Sequence, residues 1–341
     1  MEVLADFYEK LEKNAVPEIM TMHYKACLKF ADYAKVSQKN LDVVVPVEYD
    51  PRLKLLNRIY DQKSCGNCWA ISSISAINDH FYLKFKKNIT FSIDQAMKCF
   101  QSKPCEGGNP AKFLKYLEDT PLYDESCKTC SIDSCKCSNF GNLNTLKIKK
   151  NSVVLYRDVD SIKQHLFTEG PMIAGMMIYE NFKTGKFGSH GIYLDNVLSY
   201  NENGTPVFGT PTHFMGLHSV VVLGFGKADH IETSPGKFET VSFWICRNSW
   251  GEDWGDKGFF KIAFSDINKL VYLEKEFLFK NQSLGGALAF DLENPNITKF
   301  TNHHCLKVEA IKIGFVIVLL ISIFFFSYFI KKKFFKHVLR V

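Results

Sequence analysis

Three short strings carry the residue types that could do chemistry in this chain. The first is Gln62-Lys63-Ser64-Cys65-Gly66-Asn67-Cys68-Trp69-Ala70. A thiol attacks an amide only as thiolate, so a nucleophilic cysteine must sit where negative charge is favoured. Cys68 stands where an apolar helical pattern begins, and the free N–H groups and macrodipole at a helix start favour an anion. A nearby imidazolium would add to that. Gln62 could offer its side-chain amide to an oxyanion forming on the attacked carbonyl, beside the N–H of Cys68. The second string runs from Gly216 to Gly226, with His218 opening an apolar run. Alone, such a histidine is more often a satisfied core residue. The third is Phe243-Trp244-Ile245-Cys246-Arg247-Asn248-Ser249-Trp250-Gly251, followed by Trp254-Gly255. Alone, Asn248 reads as a turn residue.

The elements that must position these strings change character along the chain. Ala70, Ile74, Ile77 and Phe81 repeat at helical spacing, which predicts a helix over Cys68–Phe85. Further on, MIAGMMI, HSVVVLGFG, TVSFWICRNSW and GFFKIAF are short β-branched or aromatic runs punctuated by Gly, Asn and Asp, and they read as strands. Helices followed by strands predict an α+β protein with two lobes. Residues 1–42 read as helical, either an ordinary helical pair or a pro-segment. The main domain is expected over 43–282, and a polar stalk over 283–312.

In this order along one chain, the three strings resemble the papain/cathepsin family of cysteine proteases. That family's nucleophile signature is C-G-[SA]-C-[WY], with His and Asn roughly 130–150 residues downstream. Here His218 follows Cys68 by 150 residues and Asn248 follows it by 180. Inserted loops at Ser199–His213 and Lys227–Thr240 account for the excess. The resemblance covers roughly residues 43–280 and implies the papain-like fold, a helical lobe beside a β-rich lobe. It implies a cysteine endopeptidase with Cys68 as nucleophile, His218 as base and acid, Asn248 orienting the imidazole, Gln62 in the oxyanion hole and Trp250 shielding the Asn–His contact. It pairs Cys65 with Cys105, because Pro104-Cys105-Glu106-Gly107-Gly108 resembles the family's Cys-x-Gly-Gly element. Gly107 and Gly108 then line the substrate groove, where bare backbone can pair with an extended peptide. Cys99 matches a further half-cystine. Glu276 falls on the floor of the pocket for the second residue before the cut, where it would accept Arg. Asn67, Leu217 and Ser219 depart from the usual residues without removing a catalytic atom. Peptides or proteins are the expected partners, with no metal or cofactor. The alternative is a catalytically silent or transpeptidase-like peptide-binding protein, although silent relatives usually lose the nucleophile or base and this chain keeps both.

Composition agrees with a globular domain: 46% hydrophobic and 23% charged residues, net charge +6. The basic residues form no long stripe, so no nucleic-acid partner is expected. Residues 313–330 form an uncharged apolar run which as a helix would span about 27 Å, close to a bilayer core. A single-pass transmembrane helix near the C-terminus is therefore expected, followed by a basic tail at 331–341. The acidic N-terminus lacks the apolar stretch of an ordinary signal peptide. The excess of Lys and Arg after the run favours a cytosolic tail and a non-cytosolic protease domain. The 11 cysteines suit an oxidising compartment, with at least one thiol left over. Cys127, Cys130, Cys135 and Cys137 are spaced poorly for zinc, and disulfides are the favoured reading. Cys246 is expected to be buried and inert.

Overall fold

The computed structural model of the protein describes residues 33–39, 43–125, 144–194, 196–209, 214–264 and 287–297. Glu276, residues 313–330 and the cysteines 127, 130, 135 and 137 lie outside them. Among the described residues no helix is long and apolar enough to cross a membrane.

Three helices form one layer: α1 is Cys68–Phe85, α2 Ile93–Phe100 and α3 Pro110–Tyr116. α1 has the bounds that its apolar spacing predicts, and every residue from Cys68 to Phe81 is buried. A helix enclosed on all sides is a central element rather than a surface one. It ends at Lys86, whose left-handed backbone turns its N–H onto the Tyr82 carbonyl. α2 and α3 begin with side-chain caps, Ser92 accepting from the Gln95 N–H and Asn109 from the Lys112 N–H. α1 has no such cap, since the Asn67 side chain makes no capping bond. Trp69 fixes this layer, its ring meeting Phe113 edge-on at 5.1 Å and Phe100 at 5.5 Å.

The other layer is an eight-stranded sheet. Its strands are β1 (Lys35–Ser37), β4 (Val154–Tyr156), β5 (Met172–Tyr179), β6 (Ile192–Tyr193), β9 (Phe214–Ser234), β10 (Lys237–Arg247), β11 (Phe259–Phe264) and β12 (Ala287–Ala289). Their spatial order is β1-β4-β12-β5-β9-β10-β11-β6. Two small pairs stand apart: β2 (Leu122–Tyr123) with β3 (Thr145–Leu146), and β7 (Val197–Tyr200) with β8 (Pro206–Phe208). α4 (Val159–Thr168) and the single turn α5 (Glu180–Lys183) flank β5 in sequence. The core of this lobe is aromatic and aliphatic, with Phe182, Phe225, Trp244 and Phe260 buried among Val220, Val222 and Ile262. α1 packs directly on β9. The four runs read as strands become β5, β9, β10 and β11.

Three expectations are corrected. Residues 287–289 are not stalk: β12 lies between β4 and β5, and Ala287, Leu288, Ala289, Phe290 and Leu292 are buried. Its short apolar run is a strand that completes the sheet, so the domain extends past 282 to Asn296. Within the stretch read as N-terminal helices, residues 35–37 pair in parallel with β4 as an edge strand. Lys227–Thr240 is no irregular loop, because β9 and β10 run on through it as a hairpin turned by Pro235 and Gly236, the latter at φ 73°.

Candidate active site

Cys68 is the first residue of α1 and His218 lies near the start of β9, so the packing of α1 on β9 brings the two strings together. Both line one cavity of about 370 Å³, with Gln62, Cys65, Gly66, Leu217 and Trp250 among the other walls. β10 ends at Arg247, which delivers Asn248 beside His218.

The His218–Asn248 contact is short and its polarity is fixed. His218 Nε2 lies 2.6 Å from Asn248 Oδ1, and the same oxygen accepts the backbone N–H of Ser249 at 2.8 Å. A backbone N–H can only donate, so that atom is the oxygen and the imidazole must donate to it through Nε2. Trp250 packs beside the imidazole, its ring centroid 5.0 Å from that of His218. Both His218 and Asn248 are buried.

Burial governs the thiol. It pushes Cys68 up to about 11, while the amides of Ser219, Trp69 and Cys68 pull in the opposite direction. The helix start does favour the anion, as the sequence suggests, but loss of water outweighs it. A thiolate here therefore needs a cation beside it, and His218, which lines the same cavity, is placed to be one.

Gln62 is held by both ends of its amide. Its Oε1 accepts from Ser249 Oγ at 2.6 Å and its Nε2 donates to the Cys65 carbonyl at 2.9 Å, leaving the second N–H uncommitted. Cys65 is disulfide-bonded to Cys105 across 40 residues, the pairing that the resemblance implies. Closing a loop of that length stabilises the fold by about 4 kcal/mol. It also ties the segment before α1 to the one carrying Gly107 and Gly108. Gly108 has no room for a side chain, since a Cβ would fall 2.4 Å from the Trp69 ring. The Gly107 carbonyl accepts from Gln101 Nε2 at 2.7 Å. Neither glycine lines the cavity shared by Cys68 and His218. Cys99 is disulfide-bonded too. Among the described residues Cys68 and Cys246 are the free thiols.

Several contributors were not found from sequence. Ser72, one turn past Cys68 on α1, lies 2.7 Å from Ser219 on β9, oxygen to oxygen and buried. Arg247 pairs with Asp79 of α1 at 2.6 Å, both almost fully buried. These two bridges hold the thiol's helix to the strands carrying His218 and Asn248. Signals were present in the serine following His218 and in a charge at each of two apolar positions, but neither names its partner. Lys183 and Met215 also line the cavity.

Comparison with known proteins decides the family. The family model described as papain family cysteine protease matches residues 45–278. The chain belongs to that family. It is similar to the probable cysteine proteinase 224L of Invertebrate iridescent virus 6, 30% identical over 320 residues, covering 76% of this chain and 70% of that protein. It is 26% identical to cathepsin B-like cysteine proteinase 2 of Haemonchus contortus, covering 65% of this chain and 69% of the relative. It spans only 53% of a second viral relative, probable cysteine proteinase 024R of Invertebrate iridescent virus 3, at 27% identity. Among solved structures, procathepsin B S9 from Trypanosoma congolense superposes with a TM-score of 0.53 at 19% identity, over 76% of this chain and 82% of that one. This establishes the papain-like α+β fold. At the level of family, the protein is a cysteine peptidase.

Proposed function

We propose that this papain-family protein hydrolyses peptide bonds as an endopeptidase, with Cys68 as nucleophile, His218 as acid and base, Asn248 as orienting amide and Gln62 as oxyanion donor. The observation that carries the reading is the 2.6 Å contact between His218 Nε2 and Asn248 Oδ1, in a cavity that also holds Cys68. With Nε2 committed to Asn248, Nδ1 is the nitrogen that exchanges protons with the thiol. The Cys68 sulfur attacks the scissile carbonyl carbon, and the Cys68 N–H and the spare N–H of Gln62 hold the oxyanion. The C–N bond breaks as the imidazolium gives its proton to the leaving nitrogen. Water, losing a proton to His218, then attacks the thioester, and the C–S bond breaks to release the acid. Trp250 shields the Asn–His contact, and Gly107 and Gly108 flank the bound peptide.

The test is mass spectrometry of the products from one peptide substrate. Cys68→Ala is expected to lower kcat by at least about 10⁴-fold. Full turnover by that variant would end the assignment, and a product joined to a second amine would indicate transfer instead of hydrolysis.

Two finer assignments belong to the same reading. Glu276, on the floor of the pocket for the second residue before the cut, favours Arg there. Glu276→Ala then lowers kcat/KM for Arg substrates and spares apolar ones, and an equal loss for both would place it elsewhere. The run at 313–330 anchors the protein as a single-pass span, with the peptidase domain on the non-cytosolic side. Digestion of that domain from the cytosolic face of sealed vesicles would reverse the topology.

A further inference from the structure

The cavity holding Cys68 and His218 is lopsided in charge. Its lining includes two ammonium groups, Lys63 and Lys183, and one carboxylate, Asp61. Asp61 is partly engaged, its Oδ1 accepting the backbone N–H of Lys63 at 2.9 Å. Among the described residues, neither lysine makes an ion pair. Lys63 enters from the segment before α1 and Lys183 from the end of α5, so the two charges belong to different walls.

The position of Lys183 says which part of a substrate it meets. Its carbonyl accepts the Trp254 indole N–H at 3.0 Å, which fixes its backbone. The neighbouring Phe182 ring packs on Trp250 at 5.4 Å, and Trp250 in turn covers His218. Lys183 thus adjoins the Trp250 end of the cavity, beside the ring that packs on His218, and in the proposed function His218 is the group that gives its proton to the leaving amine. Gly107 and Gly108, which flank the bound peptide in the proposed function, do not line this cavity.

We propose that this wall recognises a carboxylate on the leaving-group part of the substrate. The carboxylate is either a Glu or Asp side chain one or two residues after the cut, or the terminal carboxylate of a peptide ending there. The inference rests on the reading of Cys68 and His218 as the reacting pair, because that reading orients the cleft. Ile178, Met215 and Trp250 add apolar surface to the cavity that Lys183 lines, so a carboxylate bound in it is less screened than on an open face. Lys183 is itself exposed, which sets a modest scale: a preference of about fivefold over a neutral analogue.

The experiment uses the full-length chain and peptides identical up to the scissile bond. One set carries Glu or Gln at the first and second positions after the cut, all with amidated C-termini. Another ends two residues after the cut, as free acid or amide. Cleavage gives kcat/KM for each, and fluorescence anisotropy on the Cys68→Ala protein gives affinity without turnover. A preference for Glu over Gln assigns the side-chain source, and a preference for acid over amide assigns the terminal one. Either should fade as salt rises, vanish in Lys183→Ala, persist in Lys183→Arg and invert in Lys183→Glu. Equal binding and cleavage of charged and neutral peptides by the unaltered protein would overturn the proposal. So would a preference that survives Lys183→Ala undiminished. If the Cys68→Ala protein discriminates by charge while the unaltered protein cleaves nothing, recognition stands and the proposed chemistry falls.

Discussion

Two buried cysteines and three buried histidines make a natural comparison, because Cys68 and His218 face the cleft while Cys246, His80 and His165 are sealed in the interior. Cys246 lies inside β10, and burial drives its thiol well above the ordinary range with nothing opposing it. Cys68 is equally buried, yet its rise stops near 11 because the amide of Ser219 on β9 and those of Trp69 and Cys68 at the helix start favour the anion. His165 on α4 has neither ring nitrogen hydrogen-bonded and is held well below its usual value by burial, with His80 and Lys39 adding to the effect. His218 is just as buried, but its Nε2 is locked to Asn248. Burial alone makes these groups inert. Reactivity is a matter of which donors, acceptors and charges are left within reach.

The largest way to break the comparison is to remove the imidazole from the cleft. In His218→Ala, Cys68 should behave like a sealed thiol. Its alkylation by iodoacetamide, expected near neutral pH in the unaltered protein, should then need a pH approaching 11, with turnover falling by roughly 10²–10⁴-fold. A thiol still alkylated at pH 7 in that variant would show that the helix start suffices alone. Cys246 should stay unmodified in both proteins.

A smaller change sharpens it. Ser219→Ala keeps the backbone amide beside the Cys68 sulfur and deletes the 2.7 Å bridge to Ser72. Losing one buried hydrogen bond of about 1 kcal/mol should cost roughly fivefold in kcat/KM and move the pH profile, with Ser72→Ala adding little on top. An unchanged profile would demote the bridge to a packing detail.

The sealed histidines should show their effect in stability, not activity. His80 and His165 both have values lowered in the folded state, so each protonates more readily in the unfolded chain. Their contribution is present above about pH 6.5 and is lost as pH falls below it. Thermal melting of His165→Leu from pH 7 to pH 4.5 should show a shallower decline than the unaltered protein. Parallel curves would mean that the acid sensitivity lies elsewhere.

Local patterns made much of this readable in the sequence. α1 follows from four apolar residues at helical spacing, and the strands that deliver His218 and Asn248 follow from β-branched runs with turn residues between them. What escaped reading depends on partners far away in sequence. The sign of the Cys68 shift depends on how completely the sheet covers α1, which no spacing reveals. Ser72 and Ser219 read as ordinary small residues until the two layers are packed. Asp79 looks like a solvated charge on a helix until Arg247 arrives from β10. β12, with three residues of Ala-Leu-Ala, is too short to signal a strand and gains its identity only from the gap between β4 and β5.

That gap also dictates an order of events during folding. β12 pairs Ala287 with Tyr156 on one side and with Ala174 on the other, contacts that close loops of well over a hundred residues. Such closures come late and slowly. Before residues 287–289 are in place, the facing edges of β4 and β5 lack their partner strand, and such edges are templates for pairing with another chain. A nascent chain stalled at residue 282 would carry every residue of the proposed catalytic set and still be an incomplete sheet, and a chaperone that holds β5 during that interval would be shielding a vacancy which only the last stretch of the domain can fill.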